Sequence, residues 1–371
     1  MKSARLRFAV ALVASLSLAW TAGCGDHSYH FISFGTAPVG GTFPVMGGAM
    51  ADVLNAHPPT EGDWANWKVQ TKGTKGTQEN IRRLSRGEFE LGLSNSAISY
   101  FAYRGEQGWE KAYDVRAIAT LTPLAGVFIT RPDTGIEQIS DLKGKRICIG
   151  PAGAGFEMFV RPILEEHGVP WDSITALNDP QSVAVDRLGD GAADAVFMGG
   201  VAGQPHPSIT QAMGSFDVKF IPYDQAARKR LVERYPFYQL HVISAKTRDG
   251  KEMYRGMTED FDALIVGNVQ IVADKSTPKE LIRTVIETLC NNSEEVIKNH
   301  PVGRGFNPNV APRYVGIPFH EGAIEFYRNW PGVKPGIWEP PSAGDSPDTK
   351  AAAAPTQPAS KLATAQEGAA E

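Results

Sequence analysis

Arg146-Ile147-Cys148-Ile149-Gly150-Pro151-Ala152-Gly153-Ala154-Gly155-Phe156 is a β-rich run that breaks into glycines just ahead of an amphipathic segment, Phe156–His167. Three more stretches repeat that layout. Phe34-Gly35-Thr36-Ala37-Pro38-Val39-Gly40-Gly41-Thr42 precedes a helix through Gly47–Asn55, and Lys72-Gly73-Thr74-Lys75-Gly76-Thr77 precedes Gln78–Arg86. Gly199-Gly200-Val201-Ala202-Gly203-Gln204-Pro205 follows the strand Ala195–Met198. A turn of this kind sets free backbone N–H groups and the positive end of a helix dipole at the carboxyl edge of a sheet, where open α/β sheets bind ligands. One such turn serves geometry alone often enough. Four in succession predict a cleft for a small anion. Gly153-Ala154-Gly155 lacks the glycine three residues on that a dinucleotide site requires.

Working outward, strands are expected at Tyr29–Phe34, Trp67–Thr71, Leu91–Ser94, Val115–Leu121, Val127–Thr130, Val218–Ile221, Leu240–Ser244, Ala263–Val266 and Val269–Val272. Helical segments between most of them indicate α/β units and largely parallel sheets. The clearest helix is 278–298, with Thr277 and Glu280 placed as a capping box, and with Leu281, Val285, Leu289 and Ile282, Ile286, Cys290 forming two i,i+4 rows. That pattern packs a core. Pro162 is expected to kink the helix after the third turn or delay its start.

The 371 residues exceed what one core usually holds, so two lobes are expected. A formal charge of −4 offers no basic surface for duplex nucleic acid. Neither HExxH nor GxxxxGK[ST] occurs, which removes the sequence anchors for metal hydrolysis and nucleotide phosphate binding. Cys24, Cys148 and Cys290 are too widely spaced for a disulfide scaffold or zinc ribbon, and the last two are expected as buried, unpaired thiols. No cofactor is implied.

Residues 1–23 read as an export signal: Lys2, Arg5 and Arg7 precede an uncharged apolar run from Phe8 to Trp20, too short to span a membrane. Cys24 after Ala22-Gly23 resembles a lipoprotein box, with Thr21 where such boxes prefer Leu, so a periplasmic location is expected, with either a lipid anchor at Cys24 or ordinary signal cleavage nearby that leaves a free thiol. From Pro341 the last 31 residues hold ten Ala, four Pro and no aromatic, the composition of a disordered tail.

The order of motifs resembles the TAXI family of solute-binding proteins, the extracytoplasmic receptors of TRAP-type secondary transporters. The matching residues are Gly35-Thr36, Gly40-Gly41-Thr42, Gly47-Gly48-Ala49, Gly76-Thr77-Gln78-Glu79-Asn80-Ile81 with Leu84 and Gly87, Leu142-Lys143-Gly144-Lys145-Arg146, Gly150 to Gly155, Gly189-Asp190-Gly191, Asp194-Ala195, Tyr235-Pro236-Phe237 and Pro318 to Ile324. The resemblance implies a type II periplasmic-binding-protein fold, α/β and two-lobed, with the ligand cleft between lobes. Lobe 1 would comprise 29–126 and 239–340, lobe 2 127–238. It also implies a small anionic or zwitterionic solute, an organic acid or amino acid of glutamate or dicarboxylate type, and a TRAP-type membrane permease as partner.

Candidate contacts are Thr36, Gly41, Thr42 and Phe43 from the first turn, Lys75 and Thr77 from the second, and Asn95 and Ser96 after the third strand. Ala154, Gly155 and Phe156 come from the third turn and Gly200 from the fourth. Each has a structural alternative: Thr42 and Thr77 as helix caps, Lys75 as a solvated loop residue, Asn95 and Ser96 as turn formers, Phe43 and Phe156 as core. Phe43 and Pro44 stand where the family shows tyrosines, Ala97 where it shows Asp, and Ala154 and Phe156 where it shows hydroxyls. Selection by shape and backbone donors is therefore expected. No nucleophile and base, paired carboxylates or metal ligands cluster locally, so a receptor is expected, with an exported enzyme or a sensor on the same scaffold as alternatives.

Overall fold

A computed structural model describes residues 29–38 and 41–339, so the expected export signal, Cys24 and the expected tail lie outside the described residues. In chain order the elements are β1 (Phe31–Gly35), α1 (Thr42–Ala56), β2 (Lys68–Lys72), α2 (Thr77–Leu84), β3 (Leu91–Asn95), α3 (Ser96–Arg104) and β4 (Val115–Thr130). Then come β5 (Arg146–Cys148), α4 (Glu157–Glu166), β6 (Thr175–Leu177), α5 (Gln181–Gly189), β7 (Ala195–Val201), α6 (Pro207–Ser215), β8 (Lys219–Ile221) and α7 (Gln225–Arg234). The chain continues with β9 (Tyr238–Ile243), β10 (Phe261–Asp274), α8 (Lys279–Asn291), α9 (Ser293–Asn299) and α10 (Glu321–Tyr327).

The strands join in the order β2-β1-β3-β10-β4-β7-β5-β6, with β8 on β4 and β9 on β10. The expectation of largely parallel sheets is corrected: β1, β2, β3 and β5, β6, β7 form two parallel blocks, and every pairing made by β4 or β10 is antiparallel. Each of these long strands was expected as two short ones, split at Pro123-Gly126 and at Gly267-Asn268. The backbone does not break there. It bulges, with register shifts between Ile265 and Asn268 and between Asn268 and Gln270. An irregular pairing tolerates a proline, which has no N–H for the ladder. β6, with a single large aliphatic, carried no readable pattern.

The α/β class expected from the sequence is the one observed, and β4 and β10 run from one half of the mixed sheet into the other. The larger core gathers Ile32, Phe34, Met50, Leu93, Ile271, Leu281 and Leu289. It continues through the aromatic rings of Tyr100, Phe101, Phe237 and Tyr238, with Tyr100 and Phe237 centred 5.3 Å apart. A second core holds Val127, Cys148, Val196 and Met198, and Ile243 of β9, Met253 and Tyr254 of the stretch after it and Ala263 of β10 join it. Cys148 and Cys290 are buried free thiols. Burial raises the Cys148 thiol to about 11.

All six apolar residues of the two rows on α8 are buried. The helix ends at Asn291 rather than 298, and its cap is Pro278 without a side-chain bond, so the expected Thr277–Glu280 box does not form. Pro162 sits inside α4, where it removes one backbone donor from the ladder.

Candidate functional site

The carboxyl ends of β1 and β3 meet the start of α2 in a buried polar knot. Asn80 is wholly buried and donates through Nδ2 to Thr36 O (2.8 Å) and Leu93 O (2.8 Å). The Thr74 hydroxyl shares its proton between Thr36 O (2.9 Å) and Asn80 Oδ1 (2.7 Å) and accepts from Gly76 N–H (3.1 Å). Gly35 has no side chain because a Cβ there would lie 2.7 Å from Asn80 Oδ1. Thr36 is part of this knot: its N–H and its hydroxyl both donate to Lys72 O, at 2.9 and 3.0 Å. Its hydroxyl is thus committed to the backbone. The knot fixes the first and second glycine turns relative to each other.

Thr77 and Asn95 are coupled in the same way. Asn95 N–H donates to the Thr77 hydroxyl (3.0 Å), and Asn95 Oδ1 caps α3 by accepting from Ala97 N–H (2.8 Å). Ser96 Oγ accepts from Asn268 N–H of β10 (2.8 Å). Asn95 and Ser96 therefore tie the start of α3 to the crossing strand.

The turns belonging to the two parallel blocks face one another. A Cβ on Gly76 would lie 3.7 Å from Ala154 Cα, one on Gly153 3.6 Å from Lys75 Cδ, and one on Gly155 2.9 Å from Ile98 Cδ1 and 3.2 Å from Gln78 Cγ. Gly155 has a φ of +90°, a backbone that side-chain-bearing residues rarely adopt. Lys75 is exposed, and its own N–H is bound by Glu79 Oε2 (3.0 Å). Gly41 is the exposed N-cap of α1, and no side chain caps that helix. The helix thus starts at Thr42 rather than at Gly47, and the Thr42 hydroxyl does not fill the cap. Phe43 is half-buried against the larger core. Phe156 stands at the start of α4, with its ring 5.1 Å from that of Phe159.

Gly200 is placed elsewhere. It lies within β7 opposite Ala125, not in the turn, and a Cβ there would meet His206 Cδ2 at 2.6 Å. That neighbourhood is a narrow pocket inside the second core, lined by Met198, Ile209, Met253 and Tyr254, with about 20 Å³ of free space, room for a water molecule only. His206 is held there by Ser208 N–H (3.2 Å) and Gln181 Oε1 (3.1 Å), and desolvation lowers its pKa to about 4.

Sequence reasoning missed Asn80 and Thr74, whose partners lie 44 and 38 residues away. It also missed Asn268 and Gln270, both fully buried. The available signal was two amides at alternate positions of an otherwise apolar strand, Val266-Gly267-Asn268-Val269-Gln270-Ile271-Val272. Among the described residues there is no cluster of His, Cys, Asp and Glu able to hold a metal ion. The assembled groups are backbone donors, amides, hydroxyls and one exposed ammonium, a set suited to binding small polar molecules.

A family model spans this whole arrangement, matching residues 34–329. The chain belongs to the NMT1-like family. The matched region of this NMT1-like chain runs from the end of strand β1 through α10. Among solved structures, XAC2383 from Xanthomonas citri bound to ATP is similar at a TM-score of 0.50 and 8% identity, over 80% of this chain and 94% of that one. The periplasmic aliphatic sulphonate binding protein SsuA from Escherichia coli is similar at a TM-score of 0.42 and 14% identity, over 73% of this chain and 79% of that one.

Proposed function

We propose that the chain is an exported solute receptor that closes its two lobes around a small anionic or zwitterionic molecule and releases it unchanged. The carrying observation is the approach of Gly76 to Ala154 and of Gly155 to Ile98 and Gln78, which sets the amide-bearing turns of both halves on one gap. The hinge of this reading lies in β4 near Pro123–Gly126 and in β10 near Gly267, where the two long strands are irregular. This reading moves the expected lobe boundaries: lobe 1 comprises about 29–122 and 268–339 rather than 29–126 and 239–340, and lobe 2 the chain between, because Ile243, Met253, Tyr254 and Ala263 pack with Val127 and Cys148 of lobe 2. The uncapped start of α1 and Lys75 supply positive character for a carboxylate.

The motif order favours delivery to a TRAP-type permease, with a glutamate-like or dicarboxylate-like solute. The basic, apolar amino terminus favours export, with Cys24 as a site of acylation. A receptor needs no catalytic group, and none of the polar residues at the facing turns forms a nucleophile and base pair. A thermal-shift panel of amino acids, dicarboxylates, 2-oxoacids and sulfonates tests the reading, because a ligand of the native state raises the melting temperature by mass action. A saturable rise with at least one compound, recovered intact after hours, is expected. Consumption of the compound would favour an enzyme, and no shift with any class would count against a receptor of such solutes.

A further inference from the structure

Asn268 is fully buried, and neither its Nδ2 nor its Oδ1 has a hydrogen-bond partner. Two residues along β10, Gln270 is equally buried: its Nε2 lies 3.5 Å from Thr120 Oγ1, and its Oε1 has no partner. β10 is paired on both sides here, with Asn268 opposite Pro123 of β4 and Gln270 opposite Ser94 of β3. Side chains two apart in a strand share a face, and the irregularity between Asn268 and Gln270 puts its extra residue on β4 and leaves β10 regular. The two amides therefore stand next to each other at the crossing, where Asn268 N–H meets Ser96 Oγ and Gly267 packs on Asn95.

Buried polar atoms without partners cost the folded state the water bonds they gave up, and leucine or methionine in their place would not. Stability therefore gives no reason for two amides in a central strand. Their unmet requirement is two acceptors, Asn268 Oδ1 and Gln270 Oε1, and one donor, Asn268 Nδ2. A carboxylate or sulfonate alone answers only the donor. A nitrogen bearing two or more hydrogens, with an oxygen acceptor close by, answers all three.

We propose that Asn268 and Gln270 receive a donor-bearing nitrogen of the solute, the ammonium of a zwitterionic amino acid or the NH2 of a primary carboxamide, while Asn268 Nδ2 donates to the neighbouring oxygen. This rests on the receptor reading and adds what the solute must carry. Lobe closure would bring the nitrogen to the two strands that link the lobes, so nitrogen-free anions of the same size would leave the amides unanswered.

Calorimetric titration of the full chain with matched compounds tests it: glutamate and glutamine, the primary amide glutaramate, and the deamino diacid glutarate. Binding of an amino acid or the amide at least tenfold tighter than glutarate is expected. The ammonium is the recognised group if glutamate wins over glutaramate, and the carboxamide if the reverse. Asn268→Leu is expected to erase that preference while raising the melting temperature of the solute-free chain. Glutarate binding as tightly as its nitrogen-bearing counterparts, or an Asn268→Leu chain with unchanged affinities, would overturn the proposal and leave an ordered water as the occupant. If Asn268→Leu does not fold, Gln270→Leu and the comparison of compounds on the unaltered chain decide. Tight binding of nitrogen-free anions alone would sink this inference and spare the receptor; no binding by any class would sink both.

Discussion

Gly76 of the second glycine turn and Ala154 of the third stand against each other, 3.7 Å separating the place of a Cβ on Gly76 from Ala154 Cα. The contact joins residues 78 positions apart, and a Cβ on Gly76 would just touch Ala154. Ala154→Trp is expected to wedge the turns open and weaken solute binding at least tenfold, about 1.4 kcal/mol. Its melting temperature without solute is expected to stay within a few degrees of the parent, because the indole can swing into solvent when the halves part. Calorimetry and thermal denaturation check both; unchanged affinity would mean that these turns do not close on the solute.

Gly267 has a φ of +121°, and a Cβ on it would overlap Asn95 Oδ1. Gly267→Ala is expected to destabilise the fold by at least about 2 kcal/mol, from backbone strain and steric overlap together. Asn95→Ala in the same chain removes the overlap and not the strain, so the double variant should be more stable than the two single losses added together. Urea melts of the four chains measure the coupling.

Thr36 and Asn80 separate structural from binding roles at the first turn. Asn80→Ala removes two donors and an acceptor from buried partners and is expected to cost about 2–4 kcal/mol. Thr36→Val removes one hydroxyl bond to Lys72 O and is expected to cost about 1 kcal/mol, with solute affinity changed less than threefold. A tenfold loss of affinity in Thr36→Val would show that the hydroxyl turns to the solute.

The alternation of strands and amphipathic helices, the two apolar rows of α8 and the glycine turns were legible because they depend on neighbours within a few residues. The continuity of β4 and β10 was not. Pro123, Gly126 and Gly267 look like breaks locally, and only pairing with strands more than a hundred residues away carries the backbone through them as bulges. The polar knot was hidden for the same reason, since Asn80 draws its partners from β1 and β3. Gly200 matched the other turn glycines in sequence yet lies in β7, because β4 extends far enough to pair with it.

His206 gives a pH signature. Desolvation lowers its pKa in the folded chain from 6.5 to about 4. Between those values the unfolded chain takes up a proton that the folded chain refuses, so stability falls as pH drops from about 6.5 to 4, by at most ~1.4 kcal/mol per pH unit. Burial lowers His167, His241 and His320 as well, so the fall is shared. His206→Gln should keep a neutral partner for Gln181 and show a shallower loss of melting temperature over that window than the parent. Parallel curves for the two chains would mean that His206 takes up its proton in the folded state as readily as in the unfolded one.

The claim that the halves hinge at β4 and β10 around a solute is tested most directly by small-angle X-ray scattering of the full chain with and without a saturating solute from the panel. A smaller radius of gyration and a narrower pair-distance distribution with solute present are the predicted result. Superimposable curves at proven saturation would contradict it.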